Sequence, residues 1–285
     1  MLIYTDMSTP SPVPPASTDR ILPLTRAVAA AVIPFLWLAF VILFFLPEET
    51  GRRFAWEINP PLQAMYMGAG YLGGSLLFLH TVLGRRWHRV APGFPAITAF
   101  TISMLLLTVM HWERFDLGHL GFQLWLILYI VTPFLVPWLW WGNRAADPGT
   151  AGPGDVLVPR PVRLALGLLG GGLLLYALIT FAVPEAAVRV WPWTLTPLAA
   201  RVLSGWMALL GVGGVVISRE PRWSGWRVGL QAIGLWHALF LIAAVLRRED
   251  FTGGQLLNWY VLSVVTVLVG MVWLYLTMER RQARG

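Results

Sequence analysis

The chain has 285 residues, 57% of them hydrophobic and 12% charged, with a mean hydropathy of +0.65 and a formal net charge of +7. A soluble domain carries roughly 25% charged residues and a disordered chain few apolar ones, so both classes are excluded and a polytopic membrane protein is expected. Cysteine is absent, which removes disulfides, thiolate metal sites and cysteine nucleophiles; lysine is absent too, so no Schiff-base or phosphate-loop lysine can form.

In chain order, residues 1–19 are rich in Pro, Ser and Thr and are expected to be disordered. They lack the basic start and apolar run of a secretory signal, and Met7 is an alternative start to Met1. Eight stretches then meet the need for about 20 mostly apolar residues in a spanning helix: 27–46, 62–83, 93–110, 119–141, 163–183, 197–217, 228–246 and 255–276. Arginines gather in the tails and in alternate loops (Arg20, Arg26, Arg85, Arg86, Arg89, Arg144, Arg160, Arg163, Arg219, Arg222, Arg227, Arg280, Arg281, Arg284). They are sparser in the other loops (Arg52, Arg53, Arg114, Arg189, Arg247, Arg248). Positive loops stay in the cytoplasm, so both termini are expected there, in a multi-pass protein of a bacterial cell (inner) membrane. The arginines then meet anionic lipid, and nucleic acid is not an expected partner. Trp138, Trp140 and Trp141 on the cytoplasmic side, and Trp56, Trp112, Trp191 and Trp193 on the outer side, fall where interfacial anchors belong.

The sequence repeats. With a shift of 137 residues, Phe44, Pro47, Glu48, Arg52, Trp56 and Pro60 fall on Phe181, Pro184, Glu185, Arg189, Trp193 and Pro197, and Gly68 falls on Gly205. A shift of 135 sets Gly118 on Gly253, Gln123 on Asn258, Trp125 on Tyr260 and Trp138 on Trp273. Four spans per copy is an even number, so both copies enter the membrane the same way, as a parallel repeat. The fold class is therefore all-α: eight transmembrane helices in a 4+4 parallel, pseudo-twofold internal repeat. Its parts are a disordered cytoplasmic tail (1–26), a first four-helix unit (27–142), a Pro/Gly-rich cytoplasmic linker (143–162), a second unit (163–278) and a cytoplasmic tail (279–285). Gly70 and Gly74, and Gly167 and Gly171, are spaced for close helix approach. Pro133 and Pro137 should kink the fourth span.

The repeated outer loop, P-E-x3-R-x3-W-x3-P, carries the strongest site signal. Glu48 with Arg52, and Glu185 with Arg189, are spaced to pair on one face of a short helix. Either they pin the loop, or each arginine meets an anion or a lipid headgroup. Gln123 and Asn258 lie about one helical turn inside the same face and could complete a shared outward-facing cavity. These six residues are the candidate ligand-binding set, for a small or lipid-like ligand. A second cluster, residues 111–119 (HWERFDLGH), gathers His111, Glu113, Asp116 and His119. It offers acid–base groups for an alternative reading, a membrane-embedded enzyme acting on a lipid or isoprenoid at the outer leaflet. Its repeat counterpart keeps acids but has no histidine, which excludes a symmetric metal site. GAGYLG (68–73) matches a dinucleotide motif but lies inside an apolar span, where it serves helix packing. His80 and His237 differ in depth by roughly 10 Å along their helices, too much for one haem iron, and an interhelical hydrogen bond is expected of each. No cofactor is expected. A non-enzymatic binding or transport protein is the leading reading, and a structural subunit of a membrane complex is a third.

Overall fold

In a computed structural model describing residues 18–284, the chain is all-helical, with no strand among those residues. Eight long helices carry it: α1 (Pro23–Phe40, continued by a wider turn over Val41–Phe45), α2 (Pro61–Leu83), α3 (Gly93–Met110), α4 (Leu120–Asn143), α5 (Arg160–Ala182), α6 (Pro197–Ile217), α7 (Trp223–Leu246) and α8 (Trp259–Gln282). Proline opens α1, α2, α5 and α6 in the first turn, where its missing N–H costs nothing. Thr196 caps α6 by accepting from Ala199 N at 3.1 Å, and Asn258 caps α8 by accepting from the N–H groups of Tyr260 and Val261.

Seven of the eight are long and apolar enough to cross a membrane. The exception is α2. It is 23 residues long, but Gln63, two tyrosines and four glycines lower its hydropathy. Those same residues let it sit at the centre, where most of its surface is buried. It packs on α1 and α7; α3 packs on α4 and α6; α5 packs on α6, and α7 on α8. The inner four helices are thus α2, α3, α6 and α7, with α1, α4, α5 and α8 outside.

The long helices alternate between two ends. The near end holds both described termini: Asp19 N donates to Ala146 O, and the Gln282 side chain donates to Gly154 O. The segment before α1, assigned by sequence to the disordered tail, is held in place here. Asn143 accepts from Leu22 N at 2.9 Å and from the Thr25 hydroxyl at 3.1 Å, and its amide donates to Arg20 O at 3.0 Å. The part of that tail before residue 18 lies outside the described residues. The far end holds the loops containing Glu48, His119, Arg189 and Asp250.

Glycine sets the closest helix contacts. A Cβ on Gly170 of α5 would meet Val215 N of α6 at 2.7 Å and Gly211 O at 2.8 Å. A Cβ on Gly70 would stand 2.7 Å from the Trp206 ring, and one on Gly167 would stand 2.9 Å from the Ser218 hydroxyl. Their expected partners Gly74 and Gly171 instead face open space. Spacing by four marks small residues but does not say which face they occupy.

Candidate functional site

All eight helices contribute to one partly open chamber of about 850 Å³. That is toward the upper end of the usual size of small-molecule sites. Its wall is aliphatic and aromatic, with Phe100, Trp206 and Trp236 in tilted ring contact at 4.3 and 4.9 Å. Polar groups are few. Tyr71 and Tyr129 share a hydroxyl–hydroxyl bond of 3.0 Å, and His237 Nδ1 bonds back to Ile233 O at 2.8 Å. Among the described residues, Arg89 is the one charged side chain on the wall. Its charge is disfavoured by partial burial, and next by Arg86 and Arg227 nearby.

Three donors on this wall have no hydrogen-bond partner among the described residues: Tyr176 Oη, Trp191 Nε1 and Trp206 Nε1. Buried polar groups are nearly always satisfied, so these are conspicuous. Behind the far end of the wall, Gln63 Oε1 accepts from Trp193 Nε1 at 2.9 Å, while Gln63 Nε2 is likewise unpartnered. The indole nitrogen can only donate, so this bond fixes which way the amide points.

At the near end, four side chains form a line across the bundle. Asp19 accepts from His88 N at 3.1 Å and faces His88 Nδ1 at 2.6 Å; His88 Nε2 meets the Ser224 hydroxyl at 2.8 Å. Asp155 accepts from Ser224 N at 3.1 Å and from its hydroxyl. Asp19 adopts a left-handed backbone, φ +49°, which aspartate tolerates better than most residues. The order Asp–His–Ser is that of an acyl-transfer triad. However, Ser224 is buried, is also bound by Asp155, and is not part of the chamber wall. The line therefore acts as a latch between the α2–α3 loop and the start of α7. Beside it, buried Arg222 binds Asp147 at 2.7 Å and Glu220 at 2.5 Å. Burial tends to raise the Asp147 carboxyl, but bonds from Arg222 and from Gly149 N–H outweigh it and hold it below its usual range.

The sequence missed this latch. The signal was there: Asp19 with Pro23, and Arg86–Trp87, recur as Asp155 with Pro159, and Arg222–Trp223. These matches lie in the loops of the near end, where residues 1–26 were expected to be a tail.

The predicted site residues sit at the far end and do not converge. Glu48 pairs with Arg247, not with Arg52. Arg52 and Arg53 both bind Glu49, whose carboxyl they hold below its usual range, Arg53 more than Arg52. A tight turn over Pro47–Glu49 precedes the short helix Thr50–Arg53. Glu48 and Arg52 therefore do not share the continuous helix that their spacing assumed. Glu185 lies in the first turn of the short helix Pro184–Val188 and Arg189 follows its end, both exposed, with no ion pair between them among the described residues. Gln123 donates to Leu117 O at 2.9 Å, and Asn258 caps its own helix. None of the six lies on the chamber wall.

In the second cluster, Arg201 donates to His111 Nε2 at 2.9 Å, so that nitrogen is an acceptor. Burial first, and the Arg201 charge second, hold the His111 imidazole below its ordinary value. His119 Nε2 bonds to Arg52 O at 3.0 Å, Asp116 accepts from Gly118 N at 2.8 Å, and Glu113 is exposed. Among the described residues, no three His, Asp or Glu side chains gather as metal ligands. His80 bonds to Leu76 O of its own helix. Neither it nor His237 makes the interhelical bond expected of it, because a carbonyl one turn earlier is closer to hand. Asp250 accepts from Leu62 N at 2.8 Å, tying the last far-end loop to the start of α2; burial pushes its carboxyl up, partly opposed by that bond.

Of the tryptophans read as anchors, Trp112, Trp138 and Trp141 are exposed, whereas Trp191 and Trp193 are buried in aromatic clusters. Seven membrane-length apolar helices make this a multi-pass integral membrane protein. No protein-family model, curated protein or solved structure matches the chain.

Proposed function

We propose that the chain consists of two similar four-helix halves facing the same way, and that the chamber between them binds, and exchanges with the membrane, a lipid-like ligand. Pairs of contacts lying about 136 residues apart support the two halves. Arg26 donates to Val82 O and Gly84 O, as Arg163 does to Ser218 O and Arg219 O. Trp87 N donates to Asp19 O at 2.9 Å, as Trp223 N does to Val156 O at 2.9 Å. Trp56 meets Phe115 at 5.7 Å, as Trp193 meets Phe251 at 5.9 Å. Exchanging the halves turns the pairs α1–α2, α3–α4 and α2–α7 into α5–α6, α7–α8 and α6–α3, all of which pack. With the arginine bias, this supports eight spans with both termini cytoplasmic in a bacterial cell membrane.

The observation that carries the ligand reading is the chamber itself: about 850 Å³, walled by both halves, almost wholly apolar. Water is a poor occupant of such a space, whereas a hydrocarbon chain fills it. The test uses purified protein and a phosphatidylcholine with a photoreactive acyl chain. The expected result is crosslinking to peptides containing Tyr71 or Trp236, competed by unlabelled lipid and lost in the double variant Gly74→Phe, Gly270→Phe. Both glycines line the chamber with open space where a Cβ would stand, so the added rings fill it. Labelling confined to outward-facing Leu168 and Trp273, which are 80% and 65% exposed, would overturn the reading.

A further inference from the structure

The chamber's unpartnered polar groups are donors. Trp191 Nε1 can only donate, and the Tyr176 hydroxyl stands free to. Both residues line the chamber in the second half, with Trp191 in ring contact with Tyr260 at 4.7 Å and with Trp193 at 5.2 Å. Trp191 is 6% exposed, so bulk water does not satisfy it.

An unmet buried donor costs about 1–3 kcal/mol, and a ligand that brings an acceptor recovers that cost on binding. A plain hydrocarbon brings none. An anion would add its own desolvation to an apolar wall, and the one wall cation, Arg89, stands in a near-end loop whereas Trp191 belongs to the far end. The fitting chemistry is an uncharged oxygen acceptor on a long apolar chain.

We propose that Trp191 and Tyr176 form a subsite for the carbonyl oxygen of a neutral long-chain ester or ketone, the chain lying in the chamber between the halves. The subsite rests on the chamber reading above and names the ligand's polar group. Indole N–H and phenol O–H donate to the carbonyl, while Tyr71, Phe100 and Trp236 face the chain.

The test measures displacement of a bound fluorescent apolar dye from purified full-length protein by methyl oleate and by an alkene of matching length. Two neutral hydrogen bonds predict that the ester binds about tenfold more tightly. The double variant Trp191→Phe, Tyr176→Phe keeps the rings and removes the donors. It should bind both probes with the alkene's affinity. Because no protein acceptor is lost, its thermal midpoint without ligand should be unchanged or raised. Equal affinity of wild type for ester and alkene overturns the subsite and leaves the chamber reading standing. An ester preference that survives in the double variant also overturns it, as does a lowered midpoint, which would mean that the donors serve the fold. If neither probe displaces the dye, or the Gly74→Phe, Gly270→Phe protein binds both as wild type does, the chamber reading itself fails and the subsite with it.

Discussion

On the side of the first four helices, α1 touches α4, Asn143 bonds the start of α1 to the end of α4, and the remaining gap is a pocket of about 60 Å³. On the side of the last four, α5 and α8 do not pack along one another, and each buries only 17% of its most apolar stretch. The residue 136 positions beyond Asn143 is Glu279, which binds Trp223 Nε1 at 2.7 Å and the Arg227 guanidinium, both on α7. Asn143 bridges the two outer helices on its flank, whereas Glu279 turns inward to α7 and leaves its own outer neighbour unbridged.

The largest effect should come from the arginine pair Arg86 and Arg222. Arg222 is 3% exposed and holds two carboxylates. Arg86 is exposed and has no side-chain hydrogen bond or ion pair among the described residues. Removing one partner of a buried ion pair costs about 3–5 kcal/mol, so Arg222→Ala should lower the thermal midpoint steeply. Arg86→Ala should stay within about 0.5 kcal/mol of wild type. Equal losses in the two proteins would break the asymmetry at the near end.

A smaller effect separates adjacent glycines of α5. Gly170→Ala drives a methyl into the α6 backbone and should cost about 1–3 kcal/mol. Gly171→Ala meets nothing within 4 Å and should gain up to about 1 kcal/mol from helix propensity. Denaturant titration in mild detergent reads both. A harmless Gly170→Ala would show that α5 is as loose against α6 as it is against α8.

The smallest effect is acid sensitivity of the α3–α6 tie. His111 has its pKa held below 6.5 in the folded protein, so near that pH the unfolded chain binds more protons. Stability is then fully present above about 6.5 and falls as pH drops from there toward the folded value. The contribution should stay below about 1 kcal/mol because the pair is partly exposed and screened. In His111→Gln this part of the pH slope should vanish. A slope that persists in the variant comes from another group.

Much of the fold is legible in the sequence because hydropathy and proline act locally. The predicted spans overlap all eight long helices, and prolines at 23, 61, 161 and 197 open four of them. The ends shift where tertiary contacts intervene. Helix α7 starts five residues earlier than expected because Trp223 and Ser224 are buried by near-end partners; α8 starts later because Gly253 and Gly254, at φ +70° and +66°, hold a turn. The site was less legible. Spacing by four pairs Glu48 with Arg52 only on an unbroken helix, and a change of helical pitch at Pro47 turned Glu48 toward Arg247 instead. The chamber is walled by residues from all eight helices, and no single stretch of sequence encodes a space that many elements enclose.

The latch from Asp19 through His88 and Ser224 to Asp155 stitches the first four helices to the last four at the near end, and Glu48 with Arg247 and Asp250 with Leu62 stitch them at the far end. A body clamped at both poles has little room to rock about its waist, so alternating exposure of the chamber to the two aqueous phases would first require these clamps to open. The loose flank offers another route: an occupant sliding sideways into the surrounding lipid leaves every clamp closed.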